Sequence, residues 1–423
     1  MIKTAKGTRD VEPSQSYRWH HIETIMRDVT ALFGYREIRT PVFEHTELFL
    51  RGVGDTTDIV TKEMYTFEDK GGRSMTLKPE GTAGVVRSFI EHSIYADAQP
   101  TKMYYCNCPV FRYENPQSGR LREHHQFGAE LFGAADASAD AELVALANML
   151  FTRLNVTQLA LHINNIGCKT CRPSYHEALR KHFADHIASM CPDCRNRFEK
   201  NPLRILDCKQ EKCREYIENA PVMLDYACED CTNHFEHFKM HLDAQGIAYE
   251  VDPYIVRGLD YYTKTVFEFI STHIGAQGTV CGGGRYDDLI EELGGPSMPG
   301  IGFGMGMERL LMVLEGQGID ISEPRLYDIY LASMGEKAQV YASTLALRLR
   351  KAGIKVQTDM MSRSVKAQMK YANKLNVPYV VVIGESELEK NVVDCKNMED
   401  GTSVEMTLDD FEVQFLSKMK ERE

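Results

Sequence analysis

The densest group of residues that could carry out chemistry lies in the stretch FRYENPQSGRLREHHQFGAE, residues 111–130. Arg112 and Glu114 are two positions apart, so they would share one face of a strand, as would Gln126 and Glu130 on the next strand. A guanidinium, an amide and a carboxylate on one surface suit a zwitterionic ligand beside a phosphate. The spacing is equally compatible with a solvated sheet face that carries cross-strand ion pairs.

Three other segments could contact an anion or an ammonium group. Arg257 lies in the strand-like run YIVRGLDYYTKTVFEF, where a guanidinium is costly to bury unless it meets an anion. Arg309 follows the glycine-rich run GIGFGMGME at the start of an apolar helix, which favours a phosphate or simple strand–helix packing. In TLKPEGTAG, Glu80 and Thr82 either cap a helix or face an ammonium group.

The cysteines form a second pattern, because eight of the 12 lie between residues 168 and 231. In a reducing compartment, CxxC pairs favour metal ligation over disulfides. Eight thiolates would fill two tetrahedral Cys₄ sites, so we predict structural zinc, with the pairing left open and reduced, unliganded thiols as the alternative. The candidate ligands are Cys168, Cys171, Cys191, Cys194, Cys208, Cys213, Cys228 and Cys231.

The bulk composition excludes several protein classes. A chain of 423 residues with 43% apolar and 26% charged residues is typical of a globular protein with two or three domains. The net charge of −12 means that a polyanion must meet a local basic patch. Neither a signal-like apolar segment at the N-terminus nor an apolar run of membrane-spanning length occurs, so we expect a cytoplasmic protein without a membrane partner.

The elements that must position these residues follow from periodicity and turn signals. Helical spacing predicts helices over 16–34, 79–92 and 137–154, and a hairpin is predicted over 61–78. Because the N-terminal strands come as hairpins, we expect an antiparallel sheet there. The runs DIYLASM, IKVQTDM and PYVVVIG alternate with helical stretches and predict a small α/β domain with a mostly parallel sheet.

Seven motifs in register carry a resemblance to a known family. The segments TPVFEHTELF, FRYE…HHQFGAE and GFGMGMERLL resemble motifs 1, 2 and 3 of class II aminoacyl-tRNA synthetases. RGLDYYTKTVFEF and GGGRYDDL resemble the two histidine-specific motifs of the histidyl-tRNA synthetase family, bacterial type. KGTRD and NPLRILDCK are similar to further segments of that family, so the resemblance covers essentially the whole chain.

The resemblance implies a fold and a reaction. The expected α+β fold is a class II antiparallel-sheet catalytic domain with a helical Cys-rich insertion and a C-terminal α/β anticodon-binding domain. The expected ligase activates L-histidine with ATP and Mg²⁺ to histidyl-adenylate and pyrophosphate, then transfers histidine to the 3′ end of tRNA(His). A homodimer is implied because motif 1 builds the dimer interface in this class. The predicted divisions are 1–166 and 249–322 for the catalytic domain, 167–248 for the insertion and 326–423 for the anticodon-binding domain.

The resemblance also assigns site residues. Arg112 and Arg257 would be catalytic, meeting the α-phosphate and the histidine carboxylate from opposite sides. His124 takes the position where the class usually has a phenylalanine that stacks on adenine, and imidazole offers less area. The implied histidine-binding residues are Glu80, Gly81, Thr82, Arg112, Gln126, Glu130, Arg257, Tyr261 and Tyr262. The implied ATP-binding residues are Arg112, Glu114, His124 and Arg309.

A basic stripe predicts contact with tRNA. Helical spacing aligns Arg363, Lys366, Lys370 and Lys374 on one face, which suits a tRNA footprint or a plain solvated helix. Arg120 and Arg122, in the basic loop of motif 2, are further tRNA-binding candidates.

Two rival functions fit the sequence less well. The histidine-sensing regulatory subunit of ATP phosphoribosyltransferase lacks an anticodon domain and usually loses the catalytic arginines, whereas this chain has both features. A synthetase of the same subclass for another amino acid is opposed by RGLDYY.

Overall fold

The computed structural model describes residues 1–54, 57–113, 115–116, 121–208, 210–271 and 278–420. It divides into two compact units, Met1–Ile321 and Ser322–Glu423. The divisions predicted within the first unit, at 167 and 248, remain predictions.

The first unit contains a large sheet, a small sheet and flanking helices. Its strands are β1 (Arg36–Glu37), β2 (Phe43–His45), β3 (Tyr65–Glu68), β4 (Ser74–Leu77), β5 (Thr101–Phe111), β6 (Glu123–Phe132), β7 (Leu159–Asn165), β8 (Glu250–Val251), β9 (Thr263–Ser271), β10 (Thr279–Arg285) and β11 (Gly300–Gly306). Its helices are α1 (Pro13–Leu32), α2 (Thr46–Val53), α3 (Thr82–Glu91), α4 (Ala137–Arg153), α5 (Arg172–Phe183), α6 (Pro192–Lys200), α7 (Glu211–Ile217), α8 (Glu229–Ala244), α9 (Leu289–Glu292) and α10 (Met307–Gly316).

The large sheet has eight strands in the order β1-β5-β6-β11-β10-β9-β7-β8. The six central strands pair antiparallel, as predicted. The two edge pairs, β1–β5 and β7–β8, are parallel instead. Each edge pair is joined by a long connection that contains helices, which is what parallel pairing requires and what the hairpin pattern of the central strands does not reveal.

Strand alternation gives the large sheet two different faces. One face is uniformly apolar, and the other, called the polar face below, combines charged and polar side chains with a second apolar cluster that includes Met103 and Phe132. On β6, Phe127, Ala129 and Leu131 are buried in a core that also contains residues of α1, α4, α8 and α10. Gln126 and Glu130 therefore point to the opposite face, which is where a site can form.

Two local predictions are confirmed and a third is corrected. The predicted hairpin is the β3–β4 pair, whose turn is held by the Asp69 carboxylate. The helix predicted over 137–154 is α4. The helix predicted from Pro79 begins only at Thr82, because the Glu80 carboxylate accepts the first backbone N–H groups of α3.

The second unit is an α/β layer with five strands. Its strands are β12 (Ile329–Ser333), β13 (Val356–Thr358), β14 (Tyr379–Ile383), β15 (Val392–Asn397) and β16 (Ser403–Thr407). Its helices are α11 (Glu336–Lys351), α12 (Val365–Lys374), α13 (Glu385–Lys390) and α14 (Phe411–Lys420).

The strand order in this unit is β13-β12-β14-β15-β16. The three predicted strands β12, β13 and β14 pair parallel, as expected. The sheet is not mostly parallel, however, because β14–β15 and β15–β16 pair antiparallel. β15 (VVDCKN) and β16 (SVEMT) mix polar and apolar residues, so neither contains an apolar run that would predict a strand. In the part of the chain that the structure describes, no helix combines the length and apolarity needed to cross a bilayer.

Candidate active site

A row of glycines crosses the polar face of the large sheet. Gly282 on β10 pairs with Gly304 on β11, which pairs with Gly128 on β6. A Cβ atom at Gly128 would lie 2.3 Å from the Tyr105 side chain, and one at Gly282 would lie 2.5 Å from the Arg257 guanidinium. The glycines therefore let the Tyr105 and Arg257 side chains lie directly against the sheet. We call the strip along Gly128, Gly304 and Gly282, with the side chains around it, the groove.

One end of this groove is acidic. Glu130 is fully buried and accepts hydrogen bonds from Thr82 Oγ1, at 2.8 Å, and from the Tyr286 hydroxyl. Burial raises the pKa of Glu130 to about 8. Glu80 is also buried, and burial raises its pKa although backbone N–H groups of Thr82 and Ala83 donate to it at 2.8 and 2.7 Å. Thr82 thus links two buried carboxylates that can receive a cationic or hydrogen-bonding ligand.

Three tyrosines stand beside the acidic end. The ring centroids of Tyr261 and Tyr262 are 4.6 Å apart, and that of Tyr286 is 5.5 Å from Tyr261. All three side chains are buried, and burial raises the pKa of each. The neutral phenols form an aromatic wall whose hydroxyls can donate or accept.

The other end of the groove is cationic, and Arg257 is its most constrained member. Arg257 forms an ion pair with Glu268, whose other oxygen accepts from Thr279 Oγ1 at 2.7 Å. Burial alone would lower the pKa of Arg257, but Glu268 and Tyr262 raise it above its ordinary value. The anion that the sequence demanded for Arg257 is therefore supplied within the protein by Glu268.

Arg112 and Arg309 approach the same end from other elements. Arg112 lies one residue beyond β5, and its Nε donates to the Pro79 carbonyl at 2.8 Å. Arg309 lies in the first turn of α10 and donates to the Thr279 carbonyl at 2.8 Å. Burial, together with these two cations, lowers the pKa of His124 to about 3, so His124 is a neutral ring at neutral pH.

Of the remaining predicted ligand-binding residues, the structure describes Gln126 and Gly81 but not Glu114. Gln126 has a buried Oε1 for which the described residues supply no hydrogen-bond donor. Gly81 precedes α3, where a Cβ atom would lie 2.4 Å from the Tyr105 ring. Glu114, like the tRNA candidate Arg120, lies outside the described residues.

Sequence reasoning missed three residues of the groove, namely Tyr105, Glu268 and Tyr286. Glu268 is a single carboxylate in the apolar strand run TVFEFI, which is a recognisable signal because an unpaired charge is rarely buried. Tyr286 lies within the quoted motif GGGRYDDL but gave no separate signal. Tyr105 reaches the groove only through the register of β5 against Gly128.

The eight insertion cysteines come together as two sets of four. The first set is Cys168, Cys171, Cys228 and Cys231, and the second is Cys191, Cys194, Cys208 and Cys213. Within each set, all Sγ atoms lie within 4.8 Å of one another. Several Sγ–Sγ distances are 3.7 Å. A tetrahedron with Zn–S bonds of about 2.3 Å has edges of about 3.8 Å, so the donor sets fit zinc.

Of the tRNA-binding candidates that the structure describes, the lysines of α12 lie at the surface, and Arg363 requires a correction. Lys366, Lys370 and Lys374 are exposed on α12. Arg363 precedes this helix, its guanidinium lies 4.2 Å from the Tyr371 ring centroid, and it is 3.5 Å from Asp359. The predicted four-residue helical stripe is therefore a stripe of three lysines. In the first unit, the Arg122 guanidinium lies 4.1 Å from the ring centroid of Tyr113.

Comparison with known proteins identifies the family of this chain. The family model for histidyl-tRNA synthetase matches residues 7–310, and that for an anticodon binding domain matches residues 328–418. A histidine–tRNA ligase of Caldanaerobacter subterraneus subsp. tengcongensis is 58% identical over 412 residues, which are 97% of this chain and 99% of that protein.

Solved structures extend the comparison. The apo histidyl-tRNA synthetase of S. aureus is 42% identical, with a TM-score of 0.84 over 98% of this chain and all of its own. An ATP phosphoribosyltransferase regulatory subunit/histidyl-tRNA synthetase from Bacillus halodurans C has a TM-score of 0.64 at 23% identity, over 91% of this chain and 98% of its own, a likeness of fold alone. The predicted α+β class II fold and ligase class are confirmed, and the chain belongs to the histidyl-tRNA synthetase family.

Proposed function

We propose that the groove on the polar sheet face is where this chain performs the histidine–tRNA ligase reaction, with the residue roles given below. The histidine carboxylate attacks the α-phosphate of ATP, pyrophosphate leaves, and the terminal ribose of tRNA(His) then displaces AMP from the adenylate. The observation that carries this proposal is the polarity of one groove, with two linked carboxylates at one end and three arginines at the other.

The acidic end binds histidine. Imidazole carries one nitrogen that donates and one that accepts, so Glu130 and Tyr262, with Tyr261 beside them, can read both nitrogens. Glu80, Thr82 and the unpartnered Gln126 oxygen bind the α-ammonium group. Because these polar atoms are buried, an apolar analogue leaves them unsatisfied, which discriminates by roughly 10⁴–10⁵.

The cationic end binds the reacting phosphates. Attack on the α-phosphorus adds negative charge, and cations already held in place lower its free energy more than mobile ones. Arg257, fixed by Glu268, and Arg112, fixed by the Pro79 carbonyl, meet the α-phosphate and the histidine carboxylate. Arg309 holds the γ-phosphate, and the neutral ring of His124 stacks on adenine.

Magnesium accompanies ATP in this class. The nearby carboxylates of Glu268 and Glu308 offer the oxygen donors that Mg²⁺ takes, but protein groups already engage both. Magnesium would therefore be held mainly by phosphate oxygens and water, where it neutralises charge on the leaving pyrophosphate.

The two thiol sets hold structural zinc, because their sulfur distances match a tetrahedral Cys₄ site. Reduced thiols and a tRNA substrate both fit a cytoplasmic location.

The motif 1 segment supports a homodimer. Its neighbourhood exposes apolar side chains, with Val42 41%, Phe43 51% and Phe67 44% accessible. Phe43 and Phe67 lie on the small β2-β4-β3 sheet with their ring centroids 6.3 Å apart. Sedimentation equilibrium should therefore give the dimer mass, and a Phe43→Asp variant should shift towards the monomer. A monomeric wild-type chain would contradict this part of the proposal.

The exposed lysines of α12, together with Arg122, contact tRNA. The paired variant Lys366→Glu/Lys370→Glu should weaken tRNA(His) binding and flatten its salt dependence by about two phosphate contacts. Histidine activation without tRNA should stay unchanged, which separates this role from the groove. Unaltered tRNA affinity would mean that α12 is a solvated surface helix that does not contact tRNA.

Pyrophosphate exchange into ATP tests the central proposal. The wild-type chain should exchange with L-histidine and not with other amino acids, and Arg257→Ala should lower the rate by about 10²–10³. A variant of an exposed arginine, Arg39→Ala, is the matched control and should exchange like the wild type. Exchange that survives in Arg257→Ala would remove the catalytic role of this residue.

A further inference from the structure

Two arginines of the Cys-rich insertion contact backbone that belongs to the groove. Arg204 Nη1 donates to the carbonyl oxygen of Arg257 at 2.6 Å, and Arg172 Nη2 donates to the carbonyl oxygen of Tyr262. Arg204 is 5% exposed, and Arg172 is partly buried. A buried guanidinium is unfavourable without hydrogen bonds, so these contacts restrain both the arginines and the backbone they hold.

Each of these arginines lies on the segment that carries one thiol set. Arg172 follows Cys171 at the start of α5, and its Nε donates to the Ile166 carbonyl at 3.1 Å. Arg204 lies in the 3₁₀ turn Pro202–Asp207, directly before Cys208. Arg197 Nη1 supports that turn by donating to the Arg204 carbonyl at 3.1 Å. Folding of each thiol set therefore determines where one arginine lies.

A small polar cavity separates the insertion from the groove at this point. Its volume is about 30 Å³, room for about one or two waters, and Arg172, Arg204, Arg257 and Tyr262 line it with His176 and Asn201. Within the described ranges, four buried atoms at this lining lack a hydrogen-bond partner: His176 Nε2, Asn201 Oδ1, Arg204 Nε and Arg257 Nε. Water here can accept from the two arginines and donate to Asn201, which extends the contact from backbone to the Arg257 side chain.

We propose that Arg172 and Arg204 are positioning residues for histidine activation, with Arg204 acting through Arg257 and Arg172 acting through Tyr262. This inference rests on the roles proposed above for Arg257 and Tyr262. The insertion is therefore needed for the first half-reaction, before any tRNA binds. Because the two arginines hold different residues, their loss affects different kinetic constants: Arg204 the rate of α-phosphate attack, and Arg172 the affinity for histidine.

Pyrophosphate exchange without tRNA, measured over a range of histidine concentrations, tests this division. Arg204→Ala should lower kcat by about 10²-fold with a small change in the KM for histidine, because a misplacement of about 1 Å at the reacting centre has that effect. Arg172→Ala should mainly raise the KM for histidine. Added guanidinium ion should partly restore Arg204→Ala, and Arg204→Lys, which keeps one donor, should lose less. The exposed Arg180, whose Nη2 lies 3.5 Å from the Glu199 carbonyl within the insertion, gives the control Arg180→Ala.

Zinc content and thermal unfolding of every variant separate positioning from a folding defect. Wild-type kinetics in Arg204→Ala and Arg172→Ala would overturn the inference, as would equal losses of kcat and affinity accompanied by lost metal. If Arg204→Ala does not fold, Arg204→Lys is measured instead, and it should also lower kcat with a small change in the KM for histidine. Arg257→Ala is measured alongside: if it stays active, the proposed catalytic role fails, whereas if only Arg257→Ala is impaired, this inference alone fails.

Discussion

The groove and the Cys-rich insertion hold their polar groups in opposite ways. In the groove, protein donors already hold Glu130, Glu80 and Glu268 in place, and strand register fixes the floor. In the insertion, thiols form part of the core itself, with Cys194 and Cys231 buried beside Tyr175 and Leu179. Thiol–thiol contacts are weak, and bound zinc would replace them with metal–sulfur bonds. Packing thus preorganises the groove, whereas we propose that metal ligation stabilises the insertion.

Metal removal should have the largest effect, because it should unfold the insertion and leave the groove folded. Structural zinc contributes on the order of 10–16 kcal/mol to the folding of small zinc domains, so a chelator should open the insertion while the large sheet stays folded. We expect two zinc ions per chain by elemental analysis, and protease cleavage confined to 168–231 after chelation. Cys231→Ser should lose one ion, whereas Cys106→Ser, which lies outside both sets, should keep two. Metal-free protein with an intact insertion would show that packing alone holds this region.

Loss of a groove cation should have the next largest effect, on rate rather than on folding. Arg112→Ala should lower the rate of histidine-dependent exchange by about 10²–10³, because a preorganised cation is lost where charge develops. Zinc content and the protease pattern of the insertion should stay those of the wild type, since packing holds the groove. Exchange within severalfold of the wild-type rate would mean that Arg257 suffices for the α-phosphate.

The variant Glu130→Gln tests the buried carboxyl group of the groove through the pH dependence of thermal stability. In the folded chain the pKa of Glu130 is about 8, against an ordinary value of 4.5, so folding favours its protonated form. The stability that this carboxyl contributes is fully present below its ordinary pKa and is lost as pH rises through about 8. Thermal unfolding between about pH 5 and about pH 9 should show Glu130→Gln gaining stability relative to the wild type as pH rises. Parallel curves would mean that Glu130 stays ionised in the groove.

The sequence predicted which residues form each region, but it did not predict how residues from distant segments come together. Three CxxC pairs and the wider pair Cys208/Cys213 identified all eight thiols because the members of each pair are close in sequence, yet the assembly of the pairs into two sets depends on how α5 to α8 fold and stayed open. In the groove, the motifs predicted Arg112, Arg257, Glu80 and Glu130, which the fold of the first unit brings together from three separate segments.

Two of the missed groove residues depend on cross-strand register. Tyr105 and Glu268 enter the groove at the two ends of the glycine row, each opposite a glycine of the adjacent strand. The parallel edge pairs depend likewise on where the chain returns after a long connection. Periodicity reports which face a residue takes on its own strand, and register against the next strand is set by packing that one segment does not encode.

The smallest expected effect concerns His124, where the chain departs from the usual phenylalanine. Burial and two cations lower the pKa of His124 to about 3, so the unfolded chain binds this proton more tightly than the folded chain. Its contribution to stability is present above the ordinary pKa of 6.5 and is lost as pH falls towards 3. His124→Phe removes that loss, so its stability relative to the wild type should rise as pH falls from about 7 to about 4, opposite to the trend for Glu130→Gln.

A larger ring at position 124 should also lower the KM for ATP by roughly severalfold if this position stacks on adenine. An unchanged KM for ATP together with the predicted pH trend would mean that His124 is buried among the arginines without contacting adenine. The groove would then still be preorganised by packing, and other residues would recognise the base.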